Sequence, residues 1–305
     1  MNRPHARHAL TPPAPAGFSA DWLQQRAPFD AAARNAADAR LGIRQRLARA
    51  CPTAGAPLRL IDLACGTGSN LRWLAPLLGG RQQWLAVDHD AALLRCWPEH
   101  AGTDGRSGYP FLQHTGLGFE AQIARCQLDL AESLESLPWH AAHIVTASAL
   151  LDLVSAAWLK RLVAAATTAR VALLMALSVD GRHRWAPGDA GDAAVAALFG
   201  AHQRRDKGFE GPALGASAVG ELVSALRLVG YQVYTARSDW QLDGSQDARA
   251  LSLQRALIDG MAEAATEQEP AAAVTVEAWR QRRQALAARS SVRVGHCDLL
   301  ALPPR

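Results

Sequence analysis

From residue 58 onward the chain alternates short apolar runs with amphipathic stretches. The apolar runs fall at Leu58 to Ala64, Gln83 to Val87, Ile123 to Leu128, Ile144 to Ala147 and Val171 to Leu177. Each is shorter than a helix needs and nearly continuous in its apolar character, so each reads as a strand buried on both faces. Between them, helical periodicity marks Asn70 to Leu78, Asp90 to Trp97 and Ala156 to Ala169, with Ser155 placed to cap the last. Five strands in βα succession predict an α/β fold with a parallel sheet flanked by helices.

The flanking segments add to this plan. Pro12, Pro13, Pro15 and Gly17 make residues 1–18 a flexible tail in this reading, and Asp21 is placed to cap a helix that is interrupted near Pro28. A second helix is expected over 31–50, with Leu41, Ile43 and Leu47 on one face, before a break at 51–55. After the fifth strand, residues 178–215 are rich in Gly, Arg, His and Asp, with one apolar stretch at Val195 to Phe199. Connections of that length are usually lids or insertions. A helix at Ser217 to Val229, a strand at Tyr231 to Ala236, two helices at Asp247 to Ala265 and Val274 to Arg289, and a last strand at Val292 to Leu302 complete the pattern. The expected organisation is one domain over 19–305. It comprises N-terminal helices (19–56), a core (57–178), a lid-like insertion (179–216) and a C-terminal part (217–305) whose helical pair at 247–289 serves packing or a dimer contact.

Composition narrows the class. With 305 residues, 49% of them hydrophobic, one large core is affordable. The net charge of +4 comes from basic residues scattered along the chain, without the Lys/Arg tract that favours nucleic acid. Five cysteines form no C-x-x-C pair, so no zinc or other metal site is expected, and reduced thiols fit a cytoplasmic setting. No apolar run approaches a membrane span, and no membrane partner is expected.

The candidate chemistry centres on LRLIDLACGTGSN, in which a strand ending at Asp62-Leu63 turns through Gly66-Thr67-Gly68 into a helix. Glycines there let a nucleotide approach the backbone, and Asp88, twenty residues beyond Gly68, ends the next strand where ribose hydroxyls are held. A dinucleotide fingerprint needs a third glycine where Leu71 stands. Asp62 would also repel a pyrophosphate, whereas it favours a cofactor carrying an ammonium and a sulfonium.

This segment resembles motif I of the class I S-adenosylmethionine-dependent methyltransferases, with Ala64 where the first glycine is common. LAVDHD, with Asp88 and His89, resembles the second motif; QLDL, with Asp129 and Leu130, the third; and HIVTASALLDLV, with Ala147 and Ser148, the fourth strand and its turn. The resemblance implies a Rossmann-like, mixed seven-stranded sheet whose last strand lies antiparallel between the fifth and sixth. It also implies S-adenosyl-L-methionine as cofactor, with S-adenosyl-L-homocysteine as product. Asp62, Ala64, Gly66, Gly68, Asn70, Asp88, His89, Asp129, Leu130, Ala147 and Ser148 are the cofactor-binding residues it points to.

The acceptor is less determined. Asp152 is a candidate base, with a helix-capping role as the alternative. The insertion leaves the carboxyl end of the fifth strand, where open sheets bind ligands, so His202 is a second catalytic candidate, and Trp185, Arg205, Asp206 and Lys207 are substrate candidates. Cys65 reads as a packing residue, as do Trp22 and Phe29. The turn after the fourth strand lacks N-P-P-Y, Pro-Cys and a glutamate pair. These absences turn the reading away from base-flipping, cytosine and arginine methylation and toward a small-molecule acceptor. The alternatives are an RNA methyltransferase, a NAD(P)-dependent oxidoreductase and a non-catalytic cofactor-binding protein.

Overall fold

The structure, a computed structural model, describes residues 19–48, 56–98, 100–103 and 110–304. The expected tail at 1–18 and the break at 51–55 lie outside them. Ten strands form one mixed sheet: β1 (Leu58–Leu63), β2 (Gly80–Asp88), β3 (His100–Thr103), β4 (Pro110–Gly116), β5 (Phe119–Gln127), β6 (Ile144–Ser148), β7 (Ala172–Ala186), β8 (Gln232–Arg237), β9 (Trp240–Asp243) and β10 (Ser291–Leu302). The order is β3-β4-β5-β2-β1-β6-β7-β10-β8, with β9 paired to β10. Seven of these strands, from β5 to β8 in that order, make the Rossmann-like sheet. β10 lies antiparallel between β7 and β8, as the resemblance implied for Val292 to Leu302.

The helices are α1 (Ala20–Leu41), α2 (Ile43–Leu47), α3 (Ser69–Leu78), α4 (Ala91–Arg95), α5 (Leu130–Ser133), α6 (Ala156–Ala169), α7 (Asp192–Gln203), α8 (Ala218–Leu228), α9 (Ala248–Gln268) and α10 (Ala273–Leu286). The sheet is covered on both faces. On one face Leu63, Val145, Leu173 and Leu299 pack with Trp158 and Leu162 of α6 and Leu222 of α8. On the other, Leu60, Trp84, Ile144 and Leu300 pack with Leu71 and Leu74 of α3 and Leu41 of α1. The strands read as continuous apolar runs because both faces are buried.

Three expectations change. Among the described residues the sheet has ten strands, not seven. β3 and β9 are only four residues long, and β4 lacks apolar alternation, so none of them registers as a strand. α1 runs unbroken through Pro28: Ser19, not Asp21, caps it by accepting from Trp22 N (3.2 Å), and Ala33, Ala37 and Leu41 anchor it on the sheet. Tertiary burial here overrides the one hydrogen bond that proline removes. Finally, the lid-like insertion 179–216 is not a loop. β7 continues to Ala186, paired with β10 out to Ser291, and α7 follows, packed on α9 and α10.

Candidate functional site

The carboxyl ends of β1 and β6 and the middle of β7 converge on a cavity of about 760 Å³. Thr67, Ser69 and Asn70 of the glycine turn, Ser148 after β6 and Leu177 of β7 form its floor. Gln24, Pro28, Asp30 and Arg34 of α1 cover it. Just past the ends of β1 and β6, Ala64 (φ 51°) and Ala149 (φ 56°) hold left-handed backbone, and so does Leu177 (φ 53°) within β7. Such conformations cost on the order of 1–3 kcal/mol and concentrate where a site needs them. The value at Ala64 also explains why glycine is common at that position in the motif.

A chain of polar groups runs from the α1 cover into the floor. Arg34 Nη1 donates to Asn70 Oδ1 (2.6 Å), Asn70 Nδ2 donates to Asp62 Oδ1 (2.6 Å) and Thr146 Oγ1 (3.2 Å), and Thr146 donates to the Leu174 carbonyl (2.8 Å). Asp62 is fully buried and its Oδ2 has no hydrogen-bond partner among the described residues. Burial pushes its carboxyl up to about 7; the Asn70 hydrogen bond and the Arg34 charge oppose the rise, and Asp88 adds to it. Arg34 stacks on the Trp73 ring (3.8 Å to the centroid), and its Nε lies 3.9 Å from Asp298 Oδ2. Its pKa is lowered by burial against the pull of Asp298 and Asp62. Asp298 Oδ1 accepts from Leu177 N (2.8 Å), holding that left-handed residue at the cavity wall.

Asp88 Oδ2 accepts from Gly66 N (2.7 Å) and its Oδ1 from Asp90 N (2.9 Å), so it ties the second strand to the glycine turn. An ionised carboxylate has about four acceptor positions, which leaves capacity for hydroxyls. His89 beside it is largely exposed, with Nδ1 3.5 Å from Asp88 Oδ1. Trp97 donates to the Gly66 carbonyl (2.8 Å) and lies flat against Gly68. A Cβ at Gly68 would stand 2.8 Å from that ring, on a backbone with φ 86°. Gly68→Ala is therefore expected to lower stability by about 1–3 kcal/mol and to change Trp97 fluorescence, read by urea unfolding.

The other sequence candidates fall in different places. Asp129 is exposed and caps α5, accepting from Ala131 N (2.8 Å); the Leu130 carbonyl accepts from Trp158 Nε1 (2.7 Å). Ala147 is buried beside Ser148. Cys65 is buried in the core. Asp152 does not cap α6, because Ser155 does so through Trp158 N (3.1 Å). Instead it is buried, its Oδ1 lacks a partner, and burial raises its carboxyl to about 6 against the backbone N–H of Val179 and the charge of Arg26. Arg26 is itself held by Asp30 (2.9 Å).

The lid candidates are not at the cavity. His202 Nε2 meets Glu267 Oε2 of α9 (3.1 Å), Arg205 pairs with the same glutamate, and Asp206 accepts from Gly208 N (2.8 Å) in its own turn. Trp185 is buried edge-on against Trp279, and neither it nor Lys207 lines the cavity. Trp22 and Phe29 pack in the same apolar cluster as Trp185. Sequence reasoning missed Arg34, Trp97, Thr146 and Asp298. Only Arg34 left a trace, as a charge on the apolar face that Ala33, Ala37 and Leu41 define. Among the described residues no group of His, Cys, Asp and Glu is placed to hold a metal, and no helix is long and apolar enough to cross a membrane.

No family model matches the chain, and no curated protein is similar to it in sequence. Among solved structures it is similar to an S-adenosylmethionine-dependent methyltransferase from Thiobacillus denitrificans in complex with S-adenosyl-L-homocysteine. That pair shares 16% identity over 94% of this chain and 92% of that one, with a TM-score of 0.36. It is also similar to a geranyl diphosphate C-methyltransferase from Streptomyces coelicolor A3(2), at 12% identity over 87% and 78% of the two chains and a TM-score of 0.39. A mycolic acid cyclopropane synthase matches at 9% identity over 85% and 83%, with a TM-score of 0.40. Likeness of this depth does not extend to ligand or reaction.

Proposed function

We propose that the chain is an S-adenosyl-L-methionine-dependent methyltransferase acting on a small-molecule acceptor. The observation that carries this is Asp62: a buried carboxylate with one unpaired oxygen, set directly behind Asn70 of the cavity floor. A carboxylate there attracts a cationic ligand and repels a pyrophosphate. Leu71, where a dinucleotide loop needs glycine, is fully buried in the core, so α3 packs through a side chain. The residues fit the cofactor. Asp88 has acceptor capacity for ribose hydroxyls, Ser148 borders the cavity, and Asp62 supplies negative charge beneath it. A volume of about 760 Å³ lies within the range of small-molecule sites.

When bound, the cofactor would supply a methyl group on an activated sulfonium, so the protein's part is to orient two reactants and exclude water. α1 does the excluding, lying over the floor with Gln24, Pro28 and Asp30. The candidate base we carry forward is Asp152, which is buried behind the residues that line the cavity, four positions after Ser148 of its floor. Its carboxyl, raised to about 6, is mostly ionised at neutral pH and still close enough to neutrality to take a proton from a hydroxyl or ammonium.

Calorimetric titration with S-adenosyl-L-methionine, S-adenosyl-L-homocysteine and NADH tests the reading. Both adenosyl ligands are expected to bind, and Asp88→Ala to weaken them more than about tenfold while a thermal melt confirms folding. Binding of NADH alone would replace this reading with an oxidoreductase, and binding of none with a scaffold.

A further inference from the structure

On the side of α1 away from the cofactor cavity, a second and smaller concavity of about 260 Å³ is lined by Arg40, Arg237 and Arg293, with Ala36, Asp239 and Gln241. The three arginines come from separate elements. Arg40 lies in the last turn of α1, Arg237 ends β8, and Arg293 sits on the part of β10 that pairs with β9. All three are exposed, and none of their side chains makes a hydrogen bond or salt bridge among the described residues.

The one carboxylate in the groove, Asp239, feels the charge of Arg237 but spends its hydrogen bonds on other groups. Asp239 accepts from Arg182 through both oxygens (2.8 and 3.3 Å) and from His296 N (3.3 Å). Arg182 is shared with Asp180. Counting this network, four guanidiniums face two carboxylates, and the excess lies on the three unpaired arginines. Like charges brought together without a counterion repel, while planar guanidiniums from three directions match the several oxygens of one compact anion.

We propose that this groove is an anion site for a single phosphoryl group or pyrophosphate, bridging α1 to β8 and β10. It is independent of the cofactor reading. The groove is small, which fits a compact anion better than a strand of successive phosphates.

Calorimetry of the full chain with inorganic pyrophosphate tests the site, repeated on the double variant Arg237→Ala/Arg293→Ala and on Arg227→Ala, an exposed arginine on α8. Saturable binding at one site is expected, weakened about tenfold or more in the double variant and unchanged in Arg227→Ala. Binding should also weaken as salt rises. Failure to saturate, or equal binding by the double variant, would overturn the proposal. So would an oligoribonucleotide that binds through the same arginines with affinity growing with its length, since the face would then track a nucleic-acid backbone. A free phosphate ester competing with pyrophosphate supports the site.

Discussion

Asp62→Asn is expected to make the protein more stable and its cofactor site weaker. Burial raises the Asp62 carboxyl from 3.8 to about 7. Between those values the folded state holds a proton that the unfolded chain has lost, so stability declines as pH rises from about 4 to about 7. Above pH 7 the folded protein bears a buried carboxylate at a cost on the order of 4 kcal/mol relative to the neutral form, by the conversion of about 1.4 kcal/mol per pKa unit. Asparagine mimics the neutral form. Its oxygen can still accept from Asn70, and its amide replaces the unpaired Oδ2. Thermal melts at pH 8 should therefore rise by the equivalent of a few kcal/mol, with little gain at pH 4. Ligand affinity should move oppositely. A cationic ligand favours the carboxylate, so S-adenosyl-L-methionine binding by the unmodified chain should weaken as pH falls through about 7. In Asp62→Asn it should be weaker by about tenfold at pH 8 and nearly flat with pH. A variant less stable at pH 8 and equally tight for the ligand would show that Asp62 serves the fold alone.

That opposition explains what sequence could and could not reveal. The glycine turn, Asp62, Asp88 and the five parallel strands were legible because each depends on neighbours close in sequence: a buried run, a turn and a helix start. The placement of β10 followed from the resemblance. What escaped depends on contacts between distant segments. Arg34 meets Asn70 across 36 positions, and Asp298 holds Leu177 across 121, so neither leaves a local pattern. The continuation of β7 to Ala186 escaped for a related reason. Ser178 to Trp185 is polar because much of that ladder is only half buried, and pairing with β10 supplies an order that composition does not report. The same polar composition made residues 179–216 read as a lid, and placed His202 and Arg205 at a substrate site rather than on Glu267.

The anchoring of that insertion gives the second large effect. Asp192, in the first turn of α7, accepts from Trp279 Nε1 (2.8 Å), Arg283 Nε (2.9 Å) and Asp189 N (2.8 Å), and its Oδ2 also takes Arg283 Nη2. Arg283 is fully buried, 4.7 Å over the Trp185 ring, with one further bond to the Pro187 carbonyl (2.8 Å). The two ends of this pair are not equivalent. Asp192→Ala leaves a buried guanidinium without its counterion, which costs about 3–5 kcal/mol. Arg283→Met removes the buried charge and fills much of its volume. Asp192, whose side chain is 21% exposed, keeps its bonds to Trp279 and Asp189, so the cost should stay below about 2 kcal/mol. Urea unfolding should rank the variants in that order, and hydrogen exchange should show Val195 to Phe199 losing protection in Asp192→Ala first. Equal and small effects from both would mean that α7 is not pinned to α10, which is what a mobile lid requires. A large effect confined to Asp192→Ala would mean that the segment is rigidly anchored on α10 through a buried charge pair rather than free to move as a lid.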